Sequence, residues 1–428
     1  MSISTSELKE SELTIYDSFD KMPIFSGKKG IKLLQGVISI AKFTKPSPIQ
    51  QKAIVPLFNG EDVIAQAQSG SGKTGAFCLG TLSRIDHQFN QPQAIIIAHT
   101  HELAQQIAVV LEEFGTMLKI KAEVCIGGTC HVDQNIMNIQ SGCHVLVGTP
   151  GRLKELIRKR AFHIKYIQTI ILDEADKLLS TNFLDDMKYI METVNNAKNR
   201  EVDLQIGIFS ATMPESIVDL ARKITCDPII TLIPQEEISL DEIKQYKIEV
   251  EEEDVENSFE FKADLIIELS EAKMLSQCII YVKDIKSAEA LSRYLSKKGM
   301  DTTVIHGKIP PKSRHTITKD FRLGMIRILI ATDLFARGID SQHVMLVINF
   351  DLPRAIKSVR EDGISRLIVD EERISEYIHR IGRSGRFGRK GVALNFVTNK
   401  REKTWMEKIE EFYEVKCEEL PEDVADLF

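Results

Sequence analysis

The chain has 428 residues, of which 43% are hydrophobic, and this length is sufficient for two domains with separate cores. No apolar stretch approaches the roughly 20 residues that a membrane-spanning helix needs, and the polar segment 1–14 lacks the apolar core of a signal peptide. These observations exclude an integral membrane protein, and we expect a soluble intracellular protein that binds no membrane.

The formal charge of −7 disfavours a protein that binds nucleic acid tightly at all times, because such domains usually carry a basic excess. It leaves conditional binding open. The seven cysteines are odd in number, scattered and never spaced two apart, so neither a disulfide framework nor a zinc site is indicated.

Short apolar runs alternate with helical patterns along both halves of the chain. The runs cover residues 62–65, 94–98, 145–147, 169–172, 205–209, 278–282, 302–305, 328–331, 345–350 and 392–397. Because each run is apolar on both sides, it is typical of a parallel strand covered by helices. We predict an α/β protein with two tandem parallel-sheet domains. The predicted segments are a first domain over 1–233 with a flexible tail over about 1–18, a short linker over 234–245 and a second domain over 246–428.

A Gly/Ser loop follows the predicted strand at Val63 and Ile64. Its backbone N–H groups suit phosphate oxygens, Lys73 adds a positive charge near the β and γ phosphates, and the Thr74 hydroxyl suits Mg²⁺. The residues predicted to hold the nucleotide are Ser69, Gly70, Ser71, Gly72, Lys73 and Thr74. The strict pattern has glycine where this chain has Ala67, and Gly-Ser-Gly runs also occur in flexible turns, so the loop alone is ambiguous.

The acidic segment 173–176 resolves that ambiguity, because it ends the apolar run 169–172. A carboxylate at the end of a strand suits Mg²⁺ held through water, which is the role predicted for Asp173, and Glu174 beside it is predicted to orient the attacking water. An acidic helix N-terminus is the alternative, and both interpretations can hold at once. With Lys73, these residues predict the catalytic site of a nucleoside triphosphatase.

The second half has no phosphate loop, and its most informative segment is 379–389, in which glycines separate four arginines and a histidine. Such a set of cations cannot be buried without anionic partners. We interpret Arg383 and Arg386 as catalytic arginine fingers that reach a γ-phosphate held by the first domain. The alternatives are a basic surface turn and a patch for RNA phosphates.

The motifs and their order resemble those of the DEAD-box ATP-dependent RNA helicases over residues 43–424. The resemblance implies two RecA-like domains. It also implies that Phe43 packs on adenine and that the Gln50 amide pairs with the edge of the base. Asp340 would bind the ribose, and Arg337 would lie near the phosphates. The residues that would couple hydrolysis to domain closure are Ser210, Thr212 and His379.

The RNA-contacting motifs match the family less evenly. The residues that the resemblance assigns to RNA are Thr100, Gly128, Thr149, Gly151, Arg152, Arg314 and Thr332. Turns with free N–H groups, hydroxyls and arginines suit a phosphate backbone and read no bases. Where the family usually has Pro-Thr-Arg, this chain has His99, Thr100 and His101, so a titratable group replaces a permanent cation. A usual glutamine is Pro311, and a usual glycine before Phe43 is Lys42.

Within the family, the compact length and the segments 243–245 and 420–428 resemble translation initiation factor 4A and its close relatives. The charged segment 354–376 is longer than in that subgroup, and a shorter insertion occurs there in the helicases of mRNA export. The expected function is local RNA unwinding, or remodelling of RNA–protein complexes, in translation initiation. The alternatives are an ATP-gated RNA clamp in an mRNA-processing or mRNA-export complex and a motor that acts on DNA or proteins.

The same resemblance implies the cofactors and partners. The cofactors would be ATP and Mg²⁺, and the main partner would be RNA, bound through its backbone without sequence preference. Protein regulators that bridge the two domains are also implied. We expect a monomer in the cytoplasm, with the nucleus as a second compartment.

Overall fold

The structure is a computed structural model. It describes residues 14–67, 70–128, 131–179, 183–197, 203–232, 243–250, 258–271, 277–333, 344–353, 356–361, 364–369, 371–384, 391–413 and 415–421. The chain divides into two compact units, residues 1–233 and 234–428, and each contains a seven-stranded parallel sheet with helices. The predicted α/β class with two tandem parallel-sheet domains is confirmed. Among the described residues, no helix is both long and apolar enough to cross a membrane.

The first sheet contains β1 (Val63–Gln66), β2 (Ala94–Ile97), β3 (Ala122–Cys125), β4 (Val145–Gly148), β5 (Thr169–Asp173), β6 (Gln205–Ser210) and β7 (Ile229–Leu232). Its strand order is β3-β4-β2-β5-β6-β1-β7. The strands at its two edges, β3 and β7, are absent from our sequence prediction. Three of the four residues of β3 are only half-buried, so an apolar run does not mark this strand.

Helices pack on both faces of the first sheet. They are α1 (Gly27–Gln35), α2 (Pro48–Asn59), α3 (Lys73–Arg84), α4 (His101–Gly115), α5 (Val132–Gln140), α6 (Pro150–Arg158), α7 (Ala175–Leu178), α8 (Leu184–Asn195) and α9 (Glu215–Ile224). Neighbouring residues of β2 pack in different cores: Ile96 lies in the cluster that contains Phe77, and Ile95 lies in the cluster that contains Leu156. Both faces are therefore buried, which explains why the strands are continuous apolar runs.

Short turns of other helix types complete the first unit. The 3₁₀ helices are Phe19–Lys21, Pro23–Phe25, Thr116–Leu118 and Ile164–Tyr166, and Gly36–Ile40 is a π-helix. The predicted flexible tail overlaps the described residues only at 14–18, and the fold is anchored immediately after it. Phe19 and Phe25 are buried and pack edge to face with their ring centroids 5.9 Å apart.

The second sheet contains β8 (Ile243–Glu249), β9 (Cys278–Tyr281), β10 (Thr303–Ile305), β11 (Ile328–Ala331), β12 (Leu346–Asn349), β15 (Gly391–Val397) and β16 (Glu418–Glu419). Its strand order is β10-β11-β9-β12-β15-β8-β16. The helices of this unit are α10 (Ser258–Glu271), α11 (Ile285–Lys297), α12 (Pro311–Arg322), α13 (Glu371–Ile381) and α14 (Lys400–Tyr413).

The predicted linker, 234–245, extends too far toward the C-terminus. Ile243, Lys244 and Gln245 belong to β8, which pairs in parallel with β15 from Ile243 opposite Gly391. The polar side chains explain the error: Lys244 is exposed, and the buried Gln245 accepts a hydrogen bond from the hydroxyl of Tyr377 at 2.7 Å. The rest of the predicted linker lies outside the described residues.

The charged insertion at 354–376 contains a β-hairpin. Its strands, β13 (Ile356–Glu361) and β14 (Ile364–Val369), are antiparallel and form a two-stranded sheet that is separate from the seven-stranded one. The end of the insertion forms the first turns of α13. The insertion is therefore a folded element that leads directly into the arginine-rich motif.

Candidate nucleotide site

Apart from Phe43 and Gln50, which precede β1, the predicted site residues of the first unit lie at or after the carboxyl ends of its parallel strands. The loop after β1 and the acidic turn of β5 carry residues predicted for ATP, and the end of β6 and the turn after it carry the predicted coupling residues Ser210 and Thr212. These three strands are neighbours in the sheet. The loops after β2, β4 and β3 carry the residues predicted for RNA, and these strands occupy the other half of the sheet. Ligands of parallel α/β sheets bind at this edge.

The phosphate loop is held open by two glycines with left-handed backbones, Gly70 (φ 85°) and Gly72 (φ 96°). A Cβ atom at Gly72 would lie 2.7 Å from Nε2 of Gln50, so a side chain there would displace Gln50 as well as strain the backbone. Helix α3 begins at Lys73, directly after the loop, which presents its free N–H groups and positive dipole end to the loop. The geometry of a phosphate-binding loop is therefore present.

The loop side chains also suit an anion. Lys73 donates to the backbone carbonyl of Ala67, so its ammonium group lies across the loop. The hydroxyl of Ser71 is buried and has no hydrogen-bond partner among the residues that the structure describes. Such an atom is costly unless a ligand or water satisfies it, and ATP fits that requirement. Ser69 lies outside the described residues.

Ala67 replaces the usual first glycine of the loop without visible strain. It does not have a positive φ angle, so its backbone does not require glycine. Its N–H donates to the carbonyl of Ser210 at 3.1 Å, which joins the start of the loop to the end of β6. The departure at this position is therefore compatible with the backbone of the described part of the loop.

Gln50 and Phe43, the predicted adenine residues, lie against the same loop. Gln50 is buried, donates to the carbonyl of Gly72 at 3.1 Å and accepts from the N–H of Ser47 at 3.0 Å. An amide has one further donor and one further acceptor position, so it can still pair with the edge of a base. Phe43 is half-buried, with its ring 5.4 Å from that of Phe114.

The acidic turn after β5 buries three carboxylates. Asp173, Glu174 and Asp176 are 3%, 7% and 5% exposed. Burial, and then the neighbouring Glu174, raise the pKa of Asp173 to about 7, whereas Lys73 opposes the shift. Glu174 has a left-handed backbone (φ 54°, ψ 53°), which is unfavourable for a residue with a side chain. Unfavourable charge and backbone geometry at one turn are typical of a functional site.

These donors fit Mg²⁺. The candidate ligands, the Thr74 hydroxyl and the Asp173 carboxylate, are oxygens, which this cation prefers. The raised pKa of Asp173 means that its negative charge is poorly compensated in the folded protein. A divalent cation bound there would supply the missing compensation.

Asp176 connects the acidic turn to the predicted coupling residues. It accepts hydrogen bonds from the hydroxyls of Ser210 at 2.6 Å and Thr212 at 3.3 Å. The end of β6 is thereby tied to the turn after β5.

Sequence reasoning missed one contact of this turn. The Nδ1 atom of His99 lies 3.1 Å from Oε2 of Glu174, and both side chains are largely buried. Our sequence analysis treated His99 only as a departure from an RNA motif. The contact arises because β2 and β5 are neighbours in the sheet, and the sequence alone does not give the strand order.

Two of the residues predicted for RNA in the first unit, Thr100 and Gly128, also shape the local backbone. Thr100 caps α4 by accepting from the N–H of Leu103 at 3.3 Å, and Thr149 precedes α6. Gly128 has a φ of 73°, which favours glycine, and Gly151 is exposed. The sheet therefore brings these four residues to one edge, because each follows a strand of the same half.

Arg152, the cation predicted for RNA, is bound within the first unit. Its Nε lies 3.3 Å from a carboxylate oxygen of Glu155, and its Nη1 donates to the side-chain oxygen of Asn135. Asn135 in turn donates to Glu123 at 2.6 Å. Only 9% of the arginine side chain is exposed, so an RNA phosphate would have to contact a guanidinium that is already oriented.

In the second unit, the described part of the arginine-rich motif is buried. Arg383 is 4% exposed and donates from Nε to the carbonyl of His379 at 3.0 Å. Arg314, predicted for RNA, is also buried, and Thr332 is half-buried at the end of β11. Arg386, Arg337 and Asp340 lie outside the described residues.

Arg380 organises this region, and sequence reasoning gave it no role. It is 1% exposed, its Nε donates to Asp333 at 2.8 Å, and its Nη1 donates to Asn349 at 2.9 Å and to the carbonyl of Asp351 at 2.6 Å. Its guanidinium also lies 5.2 Å from the centre of the Tyr281 ring. The expectation that these cations need anionic partners holds here, because Asp333 is that partner.

Comparison with known proteins identifies the family. A sequence model described as DEAD/DEAH box helicase matches residues 47–220, and one described as helicase conserved C-terminal domain matches residues 261–388. The chain is 40% identical over 427 residues to eukaryotic initiation factor 4A-3 of Arabidopsis thaliana, a match that covers 98% of this chain and 94% of that protein. These matches cover both units.

Solved structures agree with the sequence comparison. Dbp5 of S. cerevisiae bound to RNA and ADP BeF3 is 32% identical with a TM-score of 0.81, over 96% of this chain and 97% of that one. A Dbp5 variant bound to a Gle1 variant and IP6 is 31% identical with a TM-score of 0.74, over the same shares of the two chains. The predicted RecA-like fold of the two domains is confirmed. The chain belongs to the DEAD-box family of ATP-dependent RNA helicases, which are ATP-hydrolysing enzymes.

Proposed function

We propose that this protein is an RNA-stimulated ATPase that separates short RNA duplexes or remodels RNA–protein complexes, and that it acts in translation initiation. The single observation that carries the chemistry is the strand-end arrangement of the first unit, where the glycine loop of β1 and the buried acidic turn of β5 flank β6. The similarity to initiation factor 4A-3 supports the cellular step.

In this proposal, each residue has a defined task. The loop N–H groups and Lys73 hold the β and γ phosphates, Gln50 and Phe43 select adenine, and Glu174 orients the attacking water. Bound Mg²⁺ would neutralise charge on the phosphates, with Asp173 and Thr74 as its nearest protein groups. Arg383 and Arg386 of the second unit would stabilise the charge that develops during transfer. Hydrolysis then resets the protein rather than driving long translocation.

In this proposal, the protein binds RNA through electrostatic and hydrogen-bond contacts with the backbone of one strand. Turns with free N–H groups and hydroxyls contact the phosphate backbone, so the protein binds RNA without reading its bases. A bent single strand fits these contacts, whereas a regular duplex does not, and binding energy therefore favours local separation. The net negative charge of the protein agrees with binding that depends on nucleotide.

Partners and location extend the proposal. We propose that the protein is a monomer and that protein regulators bridge its two domains. The Dbp5 structure with a Gle1 variant and IP6 supports the idea that relatives have protein and small-molecule regulators. We place the protein in the cytoplasm, with the nucleus as a second compartment, because translation initiation is cytoplasmic and mRNA export begins in the nucleus.

The decisive experiment measures steady-state ATP hydrolysis by the full chain with no nucleic acid, with single-stranded RNA and with DNA of the same sequence, together with release of a short labelled strand from a duplex. We expect RNA to stimulate hydrolysis, DNA to do so far less, and strand release to require ATP. Retention of RNA with little turnover would instead identify an ATP-gated clamp. Equal stimulation by DNA would identify a motor that acts on DNA.

A further inference from the structure

The ring of His99 contacts the carboxylate that we propose to act on the attacking water. Nδ1 of His99 lies 3.1 Å from Oε2 of Glu174, and the side chains are only 11% and 10% exposed. Because the pair is largely buried, a protonated ring nitrogen and a carboxylate at this distance attract each other more strongly than they would at the surface, even without the angle of an ordinary hydrogen bond. The contact is therefore able to restrict where the carboxylate points.

The sheet itself sets this contact. Strands β2 and β5 pair in parallel, with Ile97 opposite Leu172. His99 and Glu174 each lie two residues beyond this pair, so equal steps past the strand ends bring them together. A contact built on neighbouring strands is more precise than one built on a flexible loop.

Glu174 has little backbone freedom of its own. Its left-handed backbone is stabilised by its N–H, which donates to the carboxylate of Asp173 at 3.0 Å. The direction of the Glu174 side chain is then determined by the groups around it, of which His99 is one. Removing the ring should leave the turn folded and the carboxylate less well oriented.

His99 also stands next to the residues predicted for RNA. It directly precedes Thr100, and the N–H of Ala98 donates to the carbonyl of Gly148 at 3.0 Å, immediately before Thr149. His99 therefore contacts Glu174 through its ring and adjoins, through its neighbours in the chain, two loops that we assign to RNA.

We propose that His99 is a positioning residue. It holds the Glu174 carboxylate where it can orient the attacking water, and it makes the rate of hydrolysis depend on whether RNA is bound to the adjoining loops. This inference rests on the proposed ATPase function. Proline, the usual residue of the family at this position, has no polar side-chain atom. A chain with proline at this position could not make this contact.

The test compares full-length variants in steady-state ATPase assays with and without saturating single-stranded RNA. His99→Leu keeps the bulk and removes the ring nitrogens, whereas His99→Asn keeps an amide nitrogen close to the position of Nδ1. We expect His99→Leu to lower the RNA-stimulated kcat roughly 10-fold, the size of effect typical when a residue that orients a catalytic group is lost. The KM for ATP should stay near that of the parent, and His99→Asn should recover most of the activity.

The control is His163→Ala. His163 is exposed and precedes the amino end of β5, opposite the end that carries Glu174. This variant should match the parent, and all variants are checked by thermal unfolding. If His99→Leu does not fold, His99→Pro, which carries the usual residue of the family, replaces it as the variant without a ring nitrogen.

The outcomes separate this inference from the proposed function. A parent with no RNA-stimulated hydrolysis would overturn both. An active parent whose kcat is unchanged in a folded His99→Leu or His99→Pro variant would overturn only the role of His99. Equal losses in His99→Leu and His99→Asn that track their thermal unfolding would also overturn it, because the ring would then act only by packing.

Discussion

The two units use the same parallel-sheet architecture to bury opposite charges. The first unit buries Asp173 and Glu174, and the raised pKa of Asp173 indicates that their negative charge is poorly balanced. The second unit buries Arg380 and Arg383, and Arg380 is balanced by Asp333. The first unit thus presents a site that suits a cation and phosphates, and the second unit presents oriented cations.

The difference in charge compensation indicates where a substitution should change catalysis and where it should also change stability. A buried charge that is poorly compensated marks a site where a bound ligand supplies the missing countercharge. A buried charge that is paired within the protein contributes instead to the stability of the fold. Substitutions at the first should therefore change chemistry with little change in stability. Substitutions at the second should change stability as well. The following predictions test that division, in order of decreasing effect.

Glu174→Gln should abolish turnover. The amide keeps the size of the side chain but loses the carboxylate that orients water, so we expect kcat to fall by more than about 10³-fold while ATP affinity stays near that of the parent. RNA release should slow as well. Steady-state ATPase and equilibrium nucleotide binding check this. A variant that hydrolyses ATP at near the parent rate would remove Glu174 from the mechanism.

Arg383→Ala should lower kcat by roughly 10³-fold with little change in ground-state ATP binding, because an arginine finger acts on charge that develops in the transition state. Arg386→Ala should behave in the same way. Residues 1–233 alone should bind ATP without hydrolysing it. Robust ATPase activity from that fragment would show that the first unit needs no arginine from the second.

Asp333→Ala should destabilise the second unit by about 3 kcal/mol, because it leaves the buried guanidinium of Arg380 without its anionic partner. Trp405, the single tryptophan of the chain, packs on the core of this unit, so its fluorescence reports unfolding in denaturant. The matched control is Glu249→Ala, whose carboxylate pairs with the exposed Lys403 at 3.0 Å.

That control should lose less than about 1 kcal/mol, as surface pairs do. Equal losses in the two variants would mean that Arg380 is not sensitive to its partner. The contrast between compensated and poorly compensated charge would then lose its support in the second unit.

The requirement for Mg²⁺ should increase as the pH falls. The pKa of Asp173 is raised to about 7, so below this pH the group is mostly protonated and protons compete with the cation. Between pH 8 and pH 6, we expect the free Mg²⁺ concentration that gives half-maximal ATPase to rise about 10-fold. A titration of free Mg²⁺ at each pH checks this, and an unchanged requirement would contradict it.

Lys42→Gly should give the smallest effect, a stabilisation of about 0.5–1 kcal/mol, because Lys42 has a φ of 58° that glycine adopts without strain. The exposed Lys45, which lacks a positive φ, is the matched control, and Lys45→Gly should not stabilise the protein. Thermal unfolding followed by circular dichroism compares the two. Stabilisation by both, or by neither, would contradict the backbone explanation.

Most of the architecture could be predicted from the sequence because central parallel strands are apolar on both faces. The missing strands are those for which this reason fails. Strands β3 and β7 lie at an edge of the sheet, and β8 alternates exposed and buried polar residues within an apparent linker. The hairpin of β13 and β14 lies in a segment that we could describe only as charged.

The candidate site likewise has features that the sequence predicts and features that it does not. Phosphate-loop and acidic-turn residues are adjacent in sequence to the strands that position them, so the sequence was sufficient to predict that they lie at the ends of parallel strands of one sheet. The contact of His99 with Glu174 depends on which strands are neighbours, and the contact of Arg380 with Asp333 depends on where helix α13 packs relative to the end of β11. Strand order is a tertiary property, and a motif carries no information about it.

The most direct test of the central claim is RNA-stimulated ATP hydrolysis by the full chain, measured beside Glu174→Gln and Arg383→Ala with the same RNA. The account predicts that RNA accelerates hydrolysis by the parent and that neither variant turns over appreciably, although both still bind ATP. A parent that RNA does not stimulate, or variants that hydrolyse ATP as the parent does, would contradict an ATPase whose acidic turn and arginines work together.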